Sequence, residues 1–174
     1  MSFLIGWIIL LAFIPAKELV DLLGVNNAYA SAFLLAVLAG GSSLTAGPFY
    51  VVLSTLAQGG LSIFWLAILA GAGAMVGDTF YYFAGRKSGE AITGWMRKIF
   101  DKLNHYLHKY PKLTPLFIFI YAGLFPAPND PLTISLGLSR YSYKKLFVPL
   151  MLGNMTFFFL FLYGVLEVVT RIFS

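Results

Sequence analysis

The chain of 174 residues contains no cysteine and little charge, since only 11% of its residues are Asp, Glu, Lys or Arg. Without cysteine it forms no disulfide and offers no thiolate to a metal ion. Soluble domains carry about 25% charged and 45–50% apolar residues, whereas this chain is 59% hydrophobic with a mean hydropathy of +0.82. So large an apolar excess cannot be buried in a small soluble domain, which predicts one all-α membrane domain partly covered by lipid.

The net charge of +5 is concentrated in one segment, because seven of the twelve basic residues lie within 86–112. In a soluble protein such a cluster would indicate nucleic acid binding. Here the simpler interpretation is a cytoplasmic segment facing anionic headgroups, and no nucleic acid partner is expected. Apolar residues recur in it at helical spacing, which predicts a basic amphipathic helix over 85–112.

Two segments, 61–84 and 146–169, are long and apolar enough to cross a bilayer as helices. The N-terminal run 3–14 resembles the apolar part of a signal peptide, but it lacks a basic start and a cleavage site. We expect this run to be retained, and either to span the membrane as far as about Leu23 or to lie at its interface.

Two further apolar stretches are interrupted near their centres. Gly40 to Pro48 interrupts the stretch 28–57, and a Pro-Ala-Pro-Asn-Asp-Pro run at 126–131 interrupts the stretch 113–138. Each arm has about 8–13 residues and, at 1.5 Å per residue, reaches about half of a ~30 Å hydrocarbon core. We therefore predict two re-entrant helical hairpins with their loops at mid-membrane depth.

The two halves follow one plan of hairpin, short turn and full span. Residues 58–62 resemble 136–139, and the pair Gly77-Asp78 has a counterpart in Gly153-Asn154. Since each unit crosses once, the repeats are expected to be inverted, and paired broken helices in inverted repeats indicate a mid-membrane site. The domain then comprises an N-terminal helix at 1–27, repeat 1 at 28–84, the basic helix at 85–112 and repeat 2 at 113–170.

Polar side chains in the two loops are expected to line a gap between them, because irregular backbone at membrane depth must be buried or line a wet cavity. Pro131 fits the first turn of a helix with Asp130 as its N-cap, and Pro48 fits the same role after Gly47. Such helix N-termini suit an anionic headgroup. Alternatively, Asp130 only caps its helix. The predicted lining residues are Ser42, Ser43, Thr45, Asn129, Asp130 and Thr133, in loops broken by Pro126 and Pro128.

Asp78 is a second carboxylate at membrane depth, where insertion scales give a cost of about 2.5–3.5 kcal/mol at a helix centre. It is expected to face the protein interior, with Tyr81 and Tyr82 placed to donate hydrogen bonds to it. We expect a proton-linked group or a partner of a substrate-holding cation. The alternative is a buried polar tie between helices, to Asn154 or Arg140. Gly77 and Gly85 belong to a small-residue stripe on the same helix, which is typical of helix packing.

Residues 77–89, Gly-Asp-Thr-Phe-Tyr-Tyr-Phe-Ala-Gly-Arg-Lys-Ser-Gly, resemble the DedA family, also called VTT-domain or SNARE-associated membrane proteins. The matching positions are Gly77, Asp78, Tyr82, Gly85 and Arg86. The second half is similar in the order of Phe125, Pro126, Gly137, Phe147, Gly153 and Gly164. The resemblance covers about 28–165. It implies paired re-entrant hairpins with inverted symmetry, and translocation of phospholipids or polyprenyl phosphates that depends on the proton gradient in bacteria.

Both loops depart from the family pattern. The family usually has acidic residues around its first loop, whereas 40–48 has none, and arginines flank its Phe-Pro, where this chain has Leu124 and the pair Asn129-Asp130. Arg86 and Arg140 are the nearest candidates for a phosphate clamp. We expect a DedA-like lipid translocase of the cell membrane, with anionic headgroups and protons as partners and 86–112 in the cytoplasm.

Two alternatives stay open. The acidic gap without arginine favours a small-solute or cation exporter on the same scaffold, and the segment 86–112 would serve a non-transporting protein that binds partners. An enzyme is not expected, because the sequence has no convincing nucleophile–base set, metal cluster or nucleotide motif. Neither a cofactor nor a metal is expected, and the oligomeric state is left open.

Overall fold

The computed structural model of the chain describes residues 15–40, 43–88, 101, 105–106, 109–125 and 128–173. Within these residues all the regular secondary structure is helical, which confirms the all-α class. The helices are α1 (Ala16–Leu23), α2 (Val25–Gly40), α3 (Ser43–Gln58), α4 (Ile63–Ser88), α5 (Thr114–Leu124), α6 (Asp130–Leu138) and α7 (Tyr143–Phe173). The predicted N-terminal run 3–14 and most of the predicted basic helix lie outside the described residues.

Helices α4 and α7 are long and apolar enough to cross a membrane, and they contain most of the predicted spans 61–84 and 146–169. Helices α1 and α2 pass the same test as a pair but are bent by 100° at their junction. Helix α4 continues past the predicted end to Ser88, and Arg86 and Lys87 in its last turn complement the helix dipole. Two or three helices that are long and apolar enough to cross a membrane support association with a membrane.

The break between α2 and α3 is shorter than predicted. Helix α2 ends at Gly40 and α3 already begins at Ser43, so Pro48 lies inside α3 and not in its first turn. The predicted loop over 40–48 is therefore wrong. A helix tolerates an interior proline at the cost of a backbone hydrogen bond, and Ser43 and Thr45 here occupy the first turn.

The break between α5 and α6 is closer to its prediction. Pro131 lies in the first turn of α6, as predicted, but the helix begins at Asp130 and its N-cap is Asn129. The predicted cap is thus wrong by one residue. Both the N–H and the hydroxyl of Thr133 donate to the Asn129 carbonyl oxygen, at 2.9 and 3.0 Å, and hold the start of the helix.

The pair α2 and α3 leaves one end of α4, reaches the middle of α4 and returns. At its start, the Tyr29 hydroxyl accepts a hydrogen bond of 2.9 Å from the Ser62 N–H, next to the first residue of α4. At its turn, α2 packs against Gly77, where an added Cβ would lie 2.6 Å from a backbone carbon of Gly40. Helix α3 then leads back to Ser62.

The pair α5 and α6 reaches the same level from the other end. Near the end of α5, Ala122 packs against Gly153 of α7, where an added Cβ would lie 2.7 Å from the Ala122 Cβ. Helix α6 follows beside Asp78, and Gly137 near its end lies against the last turns of α4. Gly77 and Gly153 therefore meet the ends of α2 and α5 in corresponding ways, and the packing role predicted for Gly77 is confirmed.

The turn from α3 to α4 has the same hydrogen bonds as the turn from α6 to α7. The N–H of Leu61 donates to the Leu56 carbonyl, as that of Tyr141 does to Leu136, and both turns add the shorter bond of a Schellman motif. Residues 58–62 therefore correspond to 138–142. The sequence match of 58–62 with 136–139, which aligns Gly60 with Gly137, is therefore wrong by three residues.

The left-handed position of this motif holds glycine in one turn and arginine in the other. Gly60 has φ 96° and Arg140 has φ 52°, a region that costs a residue with a Cβ about 1–2 kcal/mol. Because the Arg140 side chain is exposed, we expect Arg140→Gly to raise the melting temperature in detergent by about 2–8 °C. Ser139→Gly, one residue earlier at φ −69°, should lower it. A decrease with Arg140→Gly would contradict the proposed strain.

Candidate functional site

Asp78 lies in the middle of α4 and only 2% of it is exposed. Its Oδ2 accepts hydrogen bonds from Asn154 Nδ2 at 2.9 Å and from Asn129 Nδ2 at 3.3 Å. Asn129 Nδ2 also donates to Asn154 Oδ1 at 2.7 Å. We call these three side chains the Asp78 triad. It joins α4, α7 and the start of α6.

The triad explains how a carboxylate is accommodated at this depth. An unpaired buried charge is costly, and hydrogen bonds to a charged group are about twice as strong as neutral ones. Asn129 is the N-cap of α6, so the positive end of that helix also lies near Asp78. The charge of Asp130, in the first turn of α6, opposes this stabilisation. The predicted tie between Asp78 and Asn154 is confirmed.

A cavity of about 260 Å³ lies beside the triad. Both helix pairs contribute to its wall, through Ala46 and Gly47 of α3 and through Pro128 before α6. Its polar side consists of the triad and Asp130, and among its described lining residues none is Lys, Arg or His. The described part of the lining therefore presents carboxylate and carboxamide groups.

Aromatic rings form the opposite side of the cavity. Phe49 and Tyr50 of α3 face Phe157 and Phe158 of α7, and the Tyr50 ring centroid lies 6.0 Å from that of Phe157 and 6.2 Å from that of Phe158. This wall was not predicted. Its one signal in the sequence was the Phe-Phe-Phe run that begins three residues after Asn154. With a polar and an aromatic side, the cavity suits an amphipathic ligand or a cation.

Several predicted site residues lie elsewhere. The Tyr82 hydroxyl donates to the Tyr141 carbonyl oxygen and accepts from Arg86 Nη1 at 2.8 Å. The predicted hydrogen bond from Tyr82 to Asp78 is therefore wrong, because its only proton is used in the turn between α6 and α7. Arg86 is exposed at the end of α4, and Arg140 is exposed in that turn, so the predicted tie from Arg140 to Asp78 is wrong too.

The remaining predictions have mixed outcomes. Asn129, Asp130, Asn154, Gly47 and Pro128 line the cavity with Asp78. Thr133 does not line it, since its hydroxyl is buried against the first turn of α6. Ser42 and Pro126 fall outside the described residues. Gly85 packs against Ile134 of α6 and has a structural role, as predicted.

Among the described residues, no three His, Cys, Asp or Glu side chains are grouped so that they could hold a metal ion. Family models, curated proteins and solved structures include no match to this chain. The likeness to the DedA family thus rests on the residues quoted from the sequence, and the function is argued from the site.

Proposed function

We propose that the chain is a multi-pass membrane transporter whose substrate passes through the cavity beside the Asp78 triad. The observation that carries this proposal is a carboxylate, 2% exposed, held in the middle of a spanning helix by asparagines from the second half of the chain. Ionisable residues at such depth usually serve substrate or ion pathways. A structural tie alone would not require an adjoining cavity with a further carboxylate, Asp130.

The architecture we propose is an inverted repeat of two re-entrant hairpins, each followed by a span, as in the DedA family. It is supported by the corresponding contacts of Gly77 and Gly153 and by the matching turns at Gly60 and Arg140. Two broken helix pairs that meet at mid-depth are a recurrent form of transporter site. We assign 86–112 to the cytoplasmic side of the cell membrane by its excess of basic residues.

The substrate we propose is a phospholipid whose headgroup crosses through the cavity while its tails stay in lipid. None of the described lining residues is basic and the buried Asp78 is among them, so an anionic headgroup such as a polyprenyl phosphate would meet repulsion. A headgroup with an ammonium group would pair with a carboxylate, and the same ammonium group would contact the aromatic side by a cation–π interaction. The lining therefore favours an aminophospholipid.

A second candidate is the export of a cationic solute, favoured by the same absence of basic residues from the described lining. A cavity lined by carboxylates and aromatic rings is equally suited to a free organic cation. Export of a solute differs from lipid translocation in one respect. The exported solute leaves the bilayer entirely, so no lipid has to cross it.

The test is lipid transfer in liposomes that hold the purified protein, at a pH above and a pH below neutrality. We expect fluorescent phosphatidylethanolamine to cross faster than fluorescent phosphatidylglycerol, and Asp130→Asn to reduce the difference. Flux of a cationic dye without lipid exchange would favour the exporter. Neither lipid transfer nor flux, with the protein monodisperse, would contradict transport and favour partner binding through 86–112.

A further inference from the structure

A second cavity, of about 350 Å³, lies on the surface between α4 and α7, with Phe33 of α2 also in its lining, and it is separate from the Asp78 cavity. Its walls include Ala72, Val76 and Phe80 of α4 and Tyr143, Phe147 and Met151 of α7. We call it the outer groove.

The lining of the outer groove is almost entirely apolar. It contains two side-chain hydroxyls, those of Thr79 and Tyr143, and they hydrogen-bond to each other at 2.9 Å. The Thr79 hydroxyl also donates to the Met75 carbonyl oxygen at 2.7 Å, so the Tyr143 hydroxyl is the donor between the two. Since these groups satisfy each other, the groove has no need of water and accepts an apolar chain.

Large apolar side chains of the groove are nevertheless exposed. Val76 is 41%, Phe80 68% and Phe147 37% exposed. All three lie on the two helices that are long and apolar enough to span the membrane. Along α4 the groove covers residues 72–80, a rise of about 12 Å at 1.5 Å per residue. Its open side therefore faces hydrocarbon, along the direction in which lipid chains run.

One end of the groove is basic. Lys87 follows Phe80 and Phe83 by seven and four residues on the same face of α4, and Lys144 precedes Phe147 by three on α7. The rings of Phe83 and Tyr143, with centroids 5.4 Å apart, connect the groove to this end. Both lysines are exposed, and neither makes an ion pair with a described residue.

We propose that the outer groove binds an anionic diacyl phospholipid, with one acyl chain in the groove and the phosphate between Lys87 and Lys144. The two lysines provide charge complementarity at one end of an apolar channel that lies along α4 and α7. Lysines at the end of a spanning helix extend towards the headgroups, where they attract anionic lipids. This site is distinct from the transport path, because Thr79 faces the groove whereas its neighbour Asp78 faces the central cavity.

The test is native mass spectrometry of the full chain in detergent, titrated with phosphatidylglycerol or phosphatidylcholine of the same chain length. We expect one phosphatidylglycerol to be retained at least about tenfold more tightly, the equivalent of 1.4 kcal/mol. The double variant Lys87→Gln, Lys144→Gln should remove this preference. The matched control is Lys145→Gln, because Lys145 is equally basic and exposed but lies two residues before Phe147, on another face of α7.

A second variant tests the groove itself. Val76→Trp fills the channel from α4 and should weaken retention of both lipids, with the lysines intact. Equal retention of the two lipids by the unmodified chain would overturn the proposal. So would an equal loss of preference in the Lys145 control, or a lipid-induced dimer in place of a lipid-bound monomer. None of these outcomes depends on whether the central cavity transports anything.

Discussion

Asp78→Asn is expected to abolish most of the transport while leaving the protein folded. Both hydrogen bonds to the carboxylate end on one oxygen, Oδ2, which accepts from Asn154 and from Asn129. The single carbonyl oxygen of an asparagine side chain in that place accepts the same two donors. The variant therefore removes the charge and keeps the connection between α4, α6 and α7.

The size of the effect follows from the value of a charged partner. Hydrogen bonds to charged groups contribute about 1.5–3 kcal/mol, so loss of the carboxylate should slow transfer of an ammonium-bearing substrate about 10- to 150-fold. The measurement is the initial rate in liposomes, beside a melting curve of each variant. Asp101→Asn is the control, because Asp101 is exposed and is not a cavity residue. Unchanged transport by the Asp78→Asn variant would mean that the triad only connects α4, α6 and α7 and takes no part in transport.

Gly137→Ala is expected to lower the free energy of unfolding, and to do so more than the addition of one methyl group at any other position of α6. An added Cβ at Gly137 would overlap the Tyr82 carbonyl oxygen and lie 3.0 Å from the Arg86 nitrogen, and both are backbone atoms of α4. A backbone neighbour cannot rotate away, so α6 would have to move off α4. Overpacking of this kind costs about 1–3 kcal/mol, and displacing α6 would also disturb Asn129 in the triad.

Gly164→Ala is the matched control for this substitution. Gly164 lies inside α7, is exposed and has no atom within 4 Å of an added Cβ. Alanine stabilises a helix by about 1 kcal/mol relative to glycine, so this variant should melt at the same temperature or higher. Thermal unfolding in detergent, followed by the monodisperse fraction on gel filtration, separates the two. A Gly137→Ala protein as stable as Gly164→Ala would mean that α6 is not pressed against α4.

The sequence predicted the parts of the fold that depend on hydropathy and local symmetry. The two spans follow from uninterrupted apolar length, and the pair of Asp78 and Asn154 follows from glycine before each in the corresponding span. Each of these two patterns involves residues that are neighbours in the sequence. The packing of α4 against α7 then brings Asp78 and Asn154 into contact. The two helices that are long and apolar enough to span a membrane, and the contact between Asp78 and Asn154, therefore follow from the amino-acid sequence alone.

The errors lie where long-range packing decides the outcome. Pro48 marks a break by its chemistry, yet the helix begins five residues earlier and includes it. Tyr82 is four residues from Asp78 and thus on a neighbouring position of the helix, but its hydroxyl donates to the carbonyl of Tyr141. Arg140 has a left-handed backbone conformation. In the sequence, its one indication is the glycine at position 60, which occupies the corresponding place in the turn from α3 to α4.

The triad also has a consequence for how the chain is made. Asn129 and Asn154 follow Asp78 by 51 and 76 residues. At about 5–20 residues per second, a ribosome supplies the second donor only about 4–15 s after the carboxylate. In the proposed transporter, α4 enters the bilayer during that interval with its charge unmatched, at a cost of about 2.5–3.5 kcal/mol at the helix centre. A nascent chain that stops before Asn129 therefore carries Asp78 without either of these hydrogen-bond donors, and both donors are present only after α7 has been synthesised.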